Sequence, residues 1–201
     1  MIKNIIFDLG NVVFEGKSSS VLKKLNASEE VIEEIRAKFF KNYTNLDLGD
    51  ETLEQHFYNS GLSVEEDEYI KDFLINYYKY RNMNVGIVEL IHKLKEQDYG
   101  VYVLSNNNKE ASQYIMGLPE LQCIDGWVIS CDCHSKKPDE KIYFTLFEKY
   151  NLKPDECFFV DDKEHNIKAG ELLGMKGHVL NYEEDGAEEL IKDLKQNGVE
   201  I

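Results

Sequence analysis

Three short apolar runs in the sequence each end in a side chain that could take part in catalysis. They are residues 5–7 before Asp8, residues 101–104 before Ser105, and residues 158–160 before Asp161 and Asp162. A single acid or serine after a strand is an ordinary helix cap or turn former. Because ligands of open α/β sheets bind beyond the carboxyl ends of the strands, three such ends together predict one shared site.

The chemistry that these side chains favour is phosphoryl transfer. Carboxylates that converge repel one another, and burial strengthens the repulsion, so a cation must offset it. Hard oxygen ligands of this kind suit Mg²⁺. Such an ion would draw a phosphate group to Asp8, which could attack phosphorus and form an aspartyl-phosphate that water then cleaves. Ser105 and the backbone N–H groups of Asn106 and Asn107, at a helix start, could hold the phosphoryl oxygens.

A positive group must also stabilise the transferring phosphoryl oxygens. The sequence offers it in Lys136-Lys137-Pro138. A residue that precedes proline avoids the α region, so Lys137 is expected in an extended loop. By itself this is a solvent-facing lysine pair, but beside the convergent acids Lys137 is predicted to be catalytic.

The strands that would position these residues alternate with helices. Residues 127–129 form another apolar run, and residues 177–180 predict an edge strand. Helical spacing separates the runs, at residues 87–94, 142–150 and 190–194. Strands bounded by helices on both sides predict an α/β fold, a Rossmann-like parallel sheet with helices on both faces.

One long segment interrupts this alternation. Between Lys17 and Asn84 there is no proline, and the only glycines are Gly49 and Gly61. Apolar residues recur there at helical spacing. The pattern predicts an inserted α-helical cap over residues 15–84. The α/β core would then consist of residues 1–14 and 85–201.

Helix signals inside the predicted cap are local. Ser28, ahead of two glutamates, predicts a helix N-cap, and Gly61 with Ser63 ahead of Glu65 predicts a stop and a restart. Several side chains of this segment could reach the site: Tyr43, His56, Tyr58, Tyr77 and Tyr78. Aromatic residues at helical spacing are more typical of a core, so no role is assigned to them.

Composition limits the classes of partner. The 201 residues include 38 acidic and 23 basic side chains, a formal net charge of −15, and 42% are apolar, enough to bury a core. Such a chain repels nucleic acid and anionic membranes, so we expect neither as a partner and expect a small phosphorylated molecule instead. No apolar run is long enough for a membrane span, which favours a cytoplasmic location. The acidic run at residues 183–185 predicts a solvated face, and the oligomeric state stays open.

The four cysteines do not form a disulfide framework. Cys131, Cys133 and His134 offer soft metal ligands, but the two cysteines are one residue apart and no second ligand pair follows at finger-like spacing. A reduced loop is therefore predicted for this segment.

Four segments of the chain occur in the order in which one family carries them. They are Phe-Asp-Leu-Gly-Asn-Val-Val at residues 7–13, Leu-Ser-Asn at 104–106, Lys-Pro-Asp at 137–139 with Tyr143, and Phe-Phe-Val-Asp-Asp at 158–162 with Asn166. With a helical insertion after the first segment, the whole chain resembles the haloacid dehalogenase-like hydrolase superfamily with a helical cap of the first type. The Asp-Leu-Gly-Asn-Val start is similar to a subgroup of sugar-phosphate phosphatases that includes one acting on glucose 1-phosphate.

The resemblance implies a Mg²⁺-dependent phosphoric monoester hydrolase. Asp8 would be both the nucleophile and a metal ligand, and Gly10 would give its backbone carbonyl to the metal. Asp162 would be a direct metal ligand, and Asp161 would bind the metal directly or through water.

For the phosphate side of the site, the resemblance assigns two roles. Ser105 would bind phosphate, beside Asn106, and Lys137 would pair with Asp8 and with the phosphoryl group.

The sequence departs from the resemblance at Gly10. Most phosphatases of the superfamily carry a second aspartate there, which protonates the leaving oxygen and later activates water. General acid–base catalysis contributes ~10²–10⁴-fold, most of all for poor leaving groups. We therefore expect either substrates biased toward anomeric or other activated phosphates, or replacement of the acid by a cap residue or water. The alternative is a phospho-ligand-binding protein with weak or no turnover.

Two other readings are less favoured. The 2-haloacid dehalogenases of the superfamily need no metal, and without one Asp161 and Asp162 would repel the nucleophile uncompensated. A signalling receiver domain also gathers acids, a hydroxyl and a lysine, but there the acid pair comes early and the phosphorylated aspartate follows. Here the single Asp8 comes first and the pair last.

Overall fold

A five-stranded parallel sheet lies at the centre of the computed structural model, which describes residues 1–16, 18–64, 66–182 and 187–201. The strands are β1 (Asn4–Phe7), β2 (Gly100–Ser105), β3 (Gly126–Ile129), β4 (Cys157–Asp161) and β5 (Lys176–Val179). Their order across the sheet is β3-β2-β1-β4-β5, and all neighbours are parallel. The predicted α/β class and the edge position of the last strand are confirmed.

Helices follow or connect the strands throughout the described ranges. The α-helices are α1 (Ser18–Leu22), α2 (Glu29–Lys38), α3 (Thr44–Leu48), α4 (Leu53–Asn59), α5 (Glu68–Ile75), α6 (Val85–Glu96), α7 (Lys109–Met116), α8 (Ser130–Cys133), α9 (Glu140–Tyr150), α10 (Glu164–Leu172) and α11 (Glu188–Gln196). Short 3₁₀ helices span Tyr77–Tyr80, Pro119–Leu121 and Pro154–Glu156. None of the described helices has both the length and the apolar composition that crossing a membrane would require.

Both faces of the sheet are buried, and successive residues of a strand serve opposite faces. In β1, Ile5 and Phe7 pack into one apolar cluster that includes residues of α6 and α11. Ile6 between them packs into a second cluster, with residues of α9 and α10. All three side chains are completely buried. Burial on both faces explains why the strands are continuous apolar runs in the sequence.

The helices between β1 and α6 build a third apolar cluster of their own. Except for Ala111, its buried members lie between Val21 and Tyr78. Two chain segments connect these helices to the sheet, one after β1 and one before α6. The two segments are joined by a hydrogen bond, in which the N–H of Glu15 donates to the carbonyl of Asn82 at 2.9 Å. We call helices α1–α5 with the Tyr77–Tyr80 turn the cap. The division at residues 14/15 and 84/85 stays a prediction.

Two helix starts were predicted from the sequence within the cap, and the structure confirms one of them. Ser28 caps α2, because its hydroxyl accepts the N–H of Val31 at 3.4 Å. After α4, the next helix was predicted to start at Ser63. This prediction is wrong, because α5 begins at Glu68 and its N-cap is Asp67.

Ser63 does not cap a helix because Glu34 binds it instead. The carboxylate of Glu34 accepts both the N–H and the hydroxyl of Ser63, at 2.8 and 2.5 Å. Glu65 and the acidic run at residues 183–185 lie outside the described residues.

Candidate active site

The site lies where the three central strands end. Asp8 follows β1, Ser105 ends β2, and Asp161 ends β4. The strand register places Phe7 opposite both Val103 and Val160. Asp8 is therefore flanked by the ends of both neighbouring strands. The structure brings the predicted acids and serine together.

Lys137 connects two of the acids. Its side chain is buried, and its ammonium nitrogen lies 2.9 Å from Asp8 Oδ1 and 2.6 Å from Asp161 Oδ2. It also donates to the carbonyl of Leu104 at 2.8 Å. Burial acts to lower the pKa of Lys137, but the two carboxylates outweigh it and hold the pKa above its ordinary value. The lysine therefore stays charged between the acids.

The loop that carries Lys137 is fixed by Asn106. The side-chain amide of Asn106 donates to the Lys137 carbonyl at 3.0 Å, and its oxygen accepts the Lys137 N–H at 2.8 Å. The peptide bond between Lys137 and Pro138 is cis. This paired contact ties the lysine loop to the end of β2.

The two adjacent acids of β4 have different surroundings. The carboxylate of Asp161 is fully buried and, besides Lys137, accepts the amide of Asn166 at 2.9 and 3.0 Å and the N–H of Lys163 at 2.8 Å. Asp162 is half-buried, lines the central cavity, and has one oxygen bound by Asn11 at 2.8 Å. Both carboxylate oxygens of Asp161 thus accept hydrogen bonds from Lys137, Asn166 and Lys163. Asp162 has one oxygen bound by Asn11, so its other oxygen can bind a ligand.

The expected phosphate-binding amides are only partly available. The N–H of Asn107 donates to the hydroxyl of Ser130 at 3.0 Å, so it cannot hold a phosphoryl oxygen as the sequence predicted. The helix α7 also starts later than expected, at Lys109. Ser105 and Asn106 remain as lining residues of the cavity.

A cavity of about 220 Å³ covers this site, and the core and the cap both line it. From the cap and the loops between its helices come Ser18, Val21, Phe40, Tyr43, Asp47, Tyr77 and Arg81. The two tyrosines were candidates from the sequence without an assigned role, whereas Asp47 and Arg81 were not predicted, because neither belongs to a motif. His56 is buried elsewhere in the cap, between Glu51 at 2.7 Å and the carbonyl of Phe39 at 2.8 Å.

The family model of the haloacid dehalogenase-like hydrolases matches residues 2–174, most of the chain. The chain belongs to this family.

Curated relatives of this chain differ in activity. Flavin mononucleotide hydrolase 1 of Arabidopsis thaliana, a chloroplast protein, is 26% identical over 77% of this chain and 60% of its own length. An (S)-2-haloacid dehalogenase of Burkholderia cepacia is 26% identical over 66% of this chain and 58% of its own length. The chain thus spans about three fifths of the length of these two relatives.

Solved structures share the fold of this chain. One is an HAD family enzyme from Bacteroides thetaiotaomicron, an aspartate-to-alanine mutant in complex with magnesium and inorganic phosphate. It has a TM-score of 0.76 and 20% identity, covering 95% of this chain and 99% of that one. An L-2-haloacid dehalogenase from Xanthobacter autotrophicus has a TM-score of 0.66 and 16% identity, covering 95% and 83%. At these identities the likeness concerns the fold alone.

The donor set of the site fits Mg²⁺. Carboxylate oxygens of Asp8, Asp161 and Asp162 lie within 4.8 Å of one another. In the part of the chain that the structure describes, Lys137 is the only cation ion-paired with them. One ammonium leaves the three acids with an excess of negative charge, which a divalent cation would offset. Oxygen-only donors of this kind are those that Mg²⁺ prefers, and Gly10 also lines the cavity.

The segment with Cys131, Cys133 and His134 has a packing role. It was expected as a loop, but residues 130–133 form the short helix α8, and its cysteines are free thiols. Burial raises the pKa of Cys131 to about 11. His134 donates from Nδ1 to the carbonyl of Leu48 in the cap, at 3.0 Å, and the three side chains are not among the described groups that could hold a metal ion. The three side chains therefore do not form a common ligand set.

Proposed function

We propose that this protein is a Mg²⁺-dependent cytoplasmic phosphatase that hydrolyses a small phosphorylated metabolite, with sugar phosphates as the first class to test. The reaction would pass through an aspartyl-phosphate on Asp8. The observation that carries the proposal is the placement of the Asp8 carboxylate. One oxygen is held 2.9 Å from the Lys137 ammonium, and the side chain lines the cavity beside Ser105 and Asp162.

In the first step, the free carboxylate oxygen of Asp8 attacks phosphorus while the bond to the leaving oxygen breaks. Lys137 neutralises charge on the phosphoryl oxygens, and Ser105 with the Asn106 N–H holds them. In the second step, water attacks the same phosphorus and releases inorganic phosphate and the Asp8 carboxylate. Bound Mg²⁺, held by Asp8, Asp162 and the Gly10 carbonyl, would screen the repulsion between the nucleophile and the phosphate dianion.

Positioning of the lysine falls to groups that do not react. Asp161 binds the Lys137 ammonium at 2.6 Å, and Asn166 and the Lys163 N–H hold the carboxylate of Asp161. Such a buried and fully bonded acid keeps its neighbour in place more rigidly than a solvent-exposed one. We assign Asp161 this positioning role and Asp162 the role of the direct metal ligand.

The test is phosphate release from para-nitrophenyl phosphate, glucose 1-phosphate, glucose 6-phosphate and flavin mononucleotide, with Mg²⁺ and with EDTA. Flavin mononucleotide is included because one relative is named for its hydrolysis. Wild type should hydrolyse the aryl ester only with Mg²⁺, and Asp8→Asn should abolish turnover. Asp72→Asn removes an exposed cap carboxylate and should change nothing. Hydrolysis that survives in Asp8→Asn, or in EDTA, would overturn the proposal.

The same purified protein can be tested for two other functions. The dehalogenase relative favours testing chloride release from 2-chloropropionate. Metal-independent chloride release without phosphatase activity would identify a dehalogenase. Gly10 favours testing a binding protein without turnover, and tight Mg²⁺-dependent phosphate binding without hydrolysis of any ester would identify one.

A further inference from the structure

Because residue 10 is a glycine, the end of β1 carries no proton donor there. The nearby Arg81 would also make a carboxyl at this position a poor proton donor. A Cβ built on Gly10 would lie 3.7 Å from Nη2 of Arg81, in ordinary contact. A carboxylate at this position would therefore face a guanidinium. Such an ion pair keeps an acid ionised and unable to donate a proton at neutral pH.

The cap supplies another carboxylate to the same cavity. Asp47, in the short helix α3, lines the cavity together with Asp8 and Gly10. The side chain is half-buried, and no residue in the described ranges gives it a hydrogen bond or an ion pair. The other carboxylates that line the cavity, Asp8 and Asp162, are the proposed nucleophile and metal ligand. Among the described carboxylates that line the cavity, Asp47 is thus the one to which no other role is assigned.

The electrostatic surroundings of Asp47 leave both of its protonation states accessible. Burial raises its pKa to about 6, with a further increase from Asp8. Lys136, Lys163 and Lys137 act in the opposite direction and limit the increase. A carboxyl with a pKa near the working pH suits general acid–base catalysis.

The remaining titratable cap groups in the cavity are weaker proton donors. Burial raises the pKa of Tyr43 and of Tyr77 above the ordinary value of a phenol. Their rings stack on each other, with centroids 6.3 Å apart. Neither phenol therefore titrates near neutral pH, which leaves the carboxyl of Asp47.

Contacts between the cap and the core fix the position of α3. The carbonyl of Leu48 accepts from His134 Nδ1 at 3.0 Å, and the hydroxyl of Thr44 accepts from Lys136 Nζ at 3.1 Å. We call these two hydrogen bonds the clasp. They flank Asp47 in the sequence, and on the core side they come from the chain segment that leads into Lys137. The clasp therefore places Asp47 relative to the catalytic lysine.

We propose that Asp47 is the general acid and base of this hydrolase, in place of the carboxyl that Gly10 lacks. The inference rests on the proposed phosphatase function. As Asp8 forms its bond to phosphorus and the bond to the leaving oxygen breaks, the protonated Asp47 gives its proton to that oxygen. The resulting Asp47 carboxylate then takes a proton from the water that attacks the aspartyl-phosphate, which restores the acid.

The experiment compares Asp47→Asn with wild type on para-nitrophenyl phosphate and on a simple alkyl phosphate. The alkyl ester has a poor leaving group, so its kcat/KM should fall by ~10²–10⁴-fold. The aryl leaving group needs no proton, so its kcat/KM should change by less than ~10-fold. Stopped-flow traces should show one equivalent of para-nitrophenolate released per site and then slow turnover, because the aspartyl-phosphate lacks its base.

Two variants serve as controls. Asp72→Asn removes an exposed cap carboxylate outside the cavity and should leave both esters unchanged. Asp47→Glu keeps a carboxyl and should recover part of the alkyl phosphate activity that Asp47→Asn loses.

An equal loss on both esters, no loss on the alkyl ester, or equal activities of Asp47→Glu and Asp47→Asn would overturn the assignment. In each of these cases the Mg²⁺-dependent hydrolysis of the aryl ester by wild type, and its loss in Asp8→Asn, would still support the phosphatase. Failure of those two results would instead overturn the proposed function itself.

Discussion

Lys137 is the residue on which the geometry of the site depends most directly. All three of its ammonium hydrogens have an acceptor: Asp8, Asp161 and the carbonyl of Leu104. A buried ion pair contributes little net stability compared with an apolar replacement of both partners, but removal of one partner leaves an uncompensated buried charge. The acids on either side therefore need the lysine for folding, and the proposed mechanism needs it for catalysis as well.

Lys137→Met should lower the free energy of unfolding by about 3–5 kcal/mol, because Asp8 and Asp161 are left facing each other. Urea unfolding in EDTA measures the change. Lys168→Met is the matched control: it removes a lysine that pairs with Glu164 at 2.7 Å on the surface, where an ion pair contributes less than about 1 kcal/mol. Similar losses in both variants would contradict this account of the buried lysine.

Asp47 makes a prediction on stability that is separate from its proposed role in catalysis. Its pKa is raised from 3.8 to about 6 in the folded protein, so the folded state binds the proton more tightly than the unfolded state does. The associated stability is present below about pH 4 and is lost as the pH rises through about 6. The shift corresponds to about 3 kcal/mol at most, and partial exposure reduces it.

Asp47→Asn should accordingly be more stable than wild type at pH 7, by about 1–2 kcal/mol, and should have no advantage at pH 4. Urea unfolding across this pH range, in EDTA, measures the difference. Asp72→Asn should show no such dependence, because its carboxylate is exposed. A variant that is less stable than wild type at pH 7 would contradict the raised pKa of Asp47.

At the scale of elements, the contact between α3 and α8 matters most for the site. Gly49 ends α3 with a φ of +79°, and a Cβ there would lie 2.8 Å from the carbonyl oxygen of Cys131. That position needs glycine both for its backbone conformation and for the close approach of the core. A side chain would press the cap away from α8 and weaken the clasp.

Gly49→Ala should therefore lower kcat/KM for the alkyl phosphate, because Asp47 moves with α3, and should lower stability by more than the roughly 1–2 kcal/mol of left-handed strain. Gly61→Ala is the control: its φ is +64°, but nothing lies within 4 Å of the added Cβ. It should show the strain in thermal unfolding and keep wild-type activity. Equal activities of the two variants would show that the approach of Cys131 does not position α3.

The core half of the site follows from the sequence because its signals are local. Asp8, Ser105 and Asp161 each come directly after an apolar run, and parallel strands bring such ends to one edge. Lys137 was also predicted, because the convergent acids require a positive group and Lys136-Lys137-Pro138 supplies one, but its contact with β2 through Asn106 is distant in sequence and was not predicted.

The cap half does not follow from the sequence, because packing decides it. Asp47 and Arg81 belong to separate segments that carry no motif, and helical spacing does not tell which helix face will turn toward the cavity. The start of α5 shows the same limit: Ser63 and Asp67 are both ordinary capping residues, and the contact of Ser63 with Glu34 decides between them.

At the scale of the whole molecule, the net charge of −15 opposes the approach of a phosphorylated substrate. Added salt screens this repulsion, since the screening length falls to about 8 Å at physiological ionic strength. With Mg²⁺ kept saturating, kcat/KM should rise by about two- to threefold between low and physiological sodium chloride, while kcat stays constant. A fall in kcat/KM would show that the lysines around the cavity dominate the field that the substrate meets.

The order of the strands also has a consequence for how the protein is made. The first strand, β1, lies in the middle of the sheet, between β2 and β4. Asp8 is therefore synthesised before Lys137 and Asp161, and both of its neighbouring strands are present only once β4 has been made. A chain interrupted before β4 would carry Asp8 and Lys137 without Asp161 and Asp162. Under the proposed function such truncated products should be inactive, and binding of Mg²⁺ would report that β4 has joined the sheet.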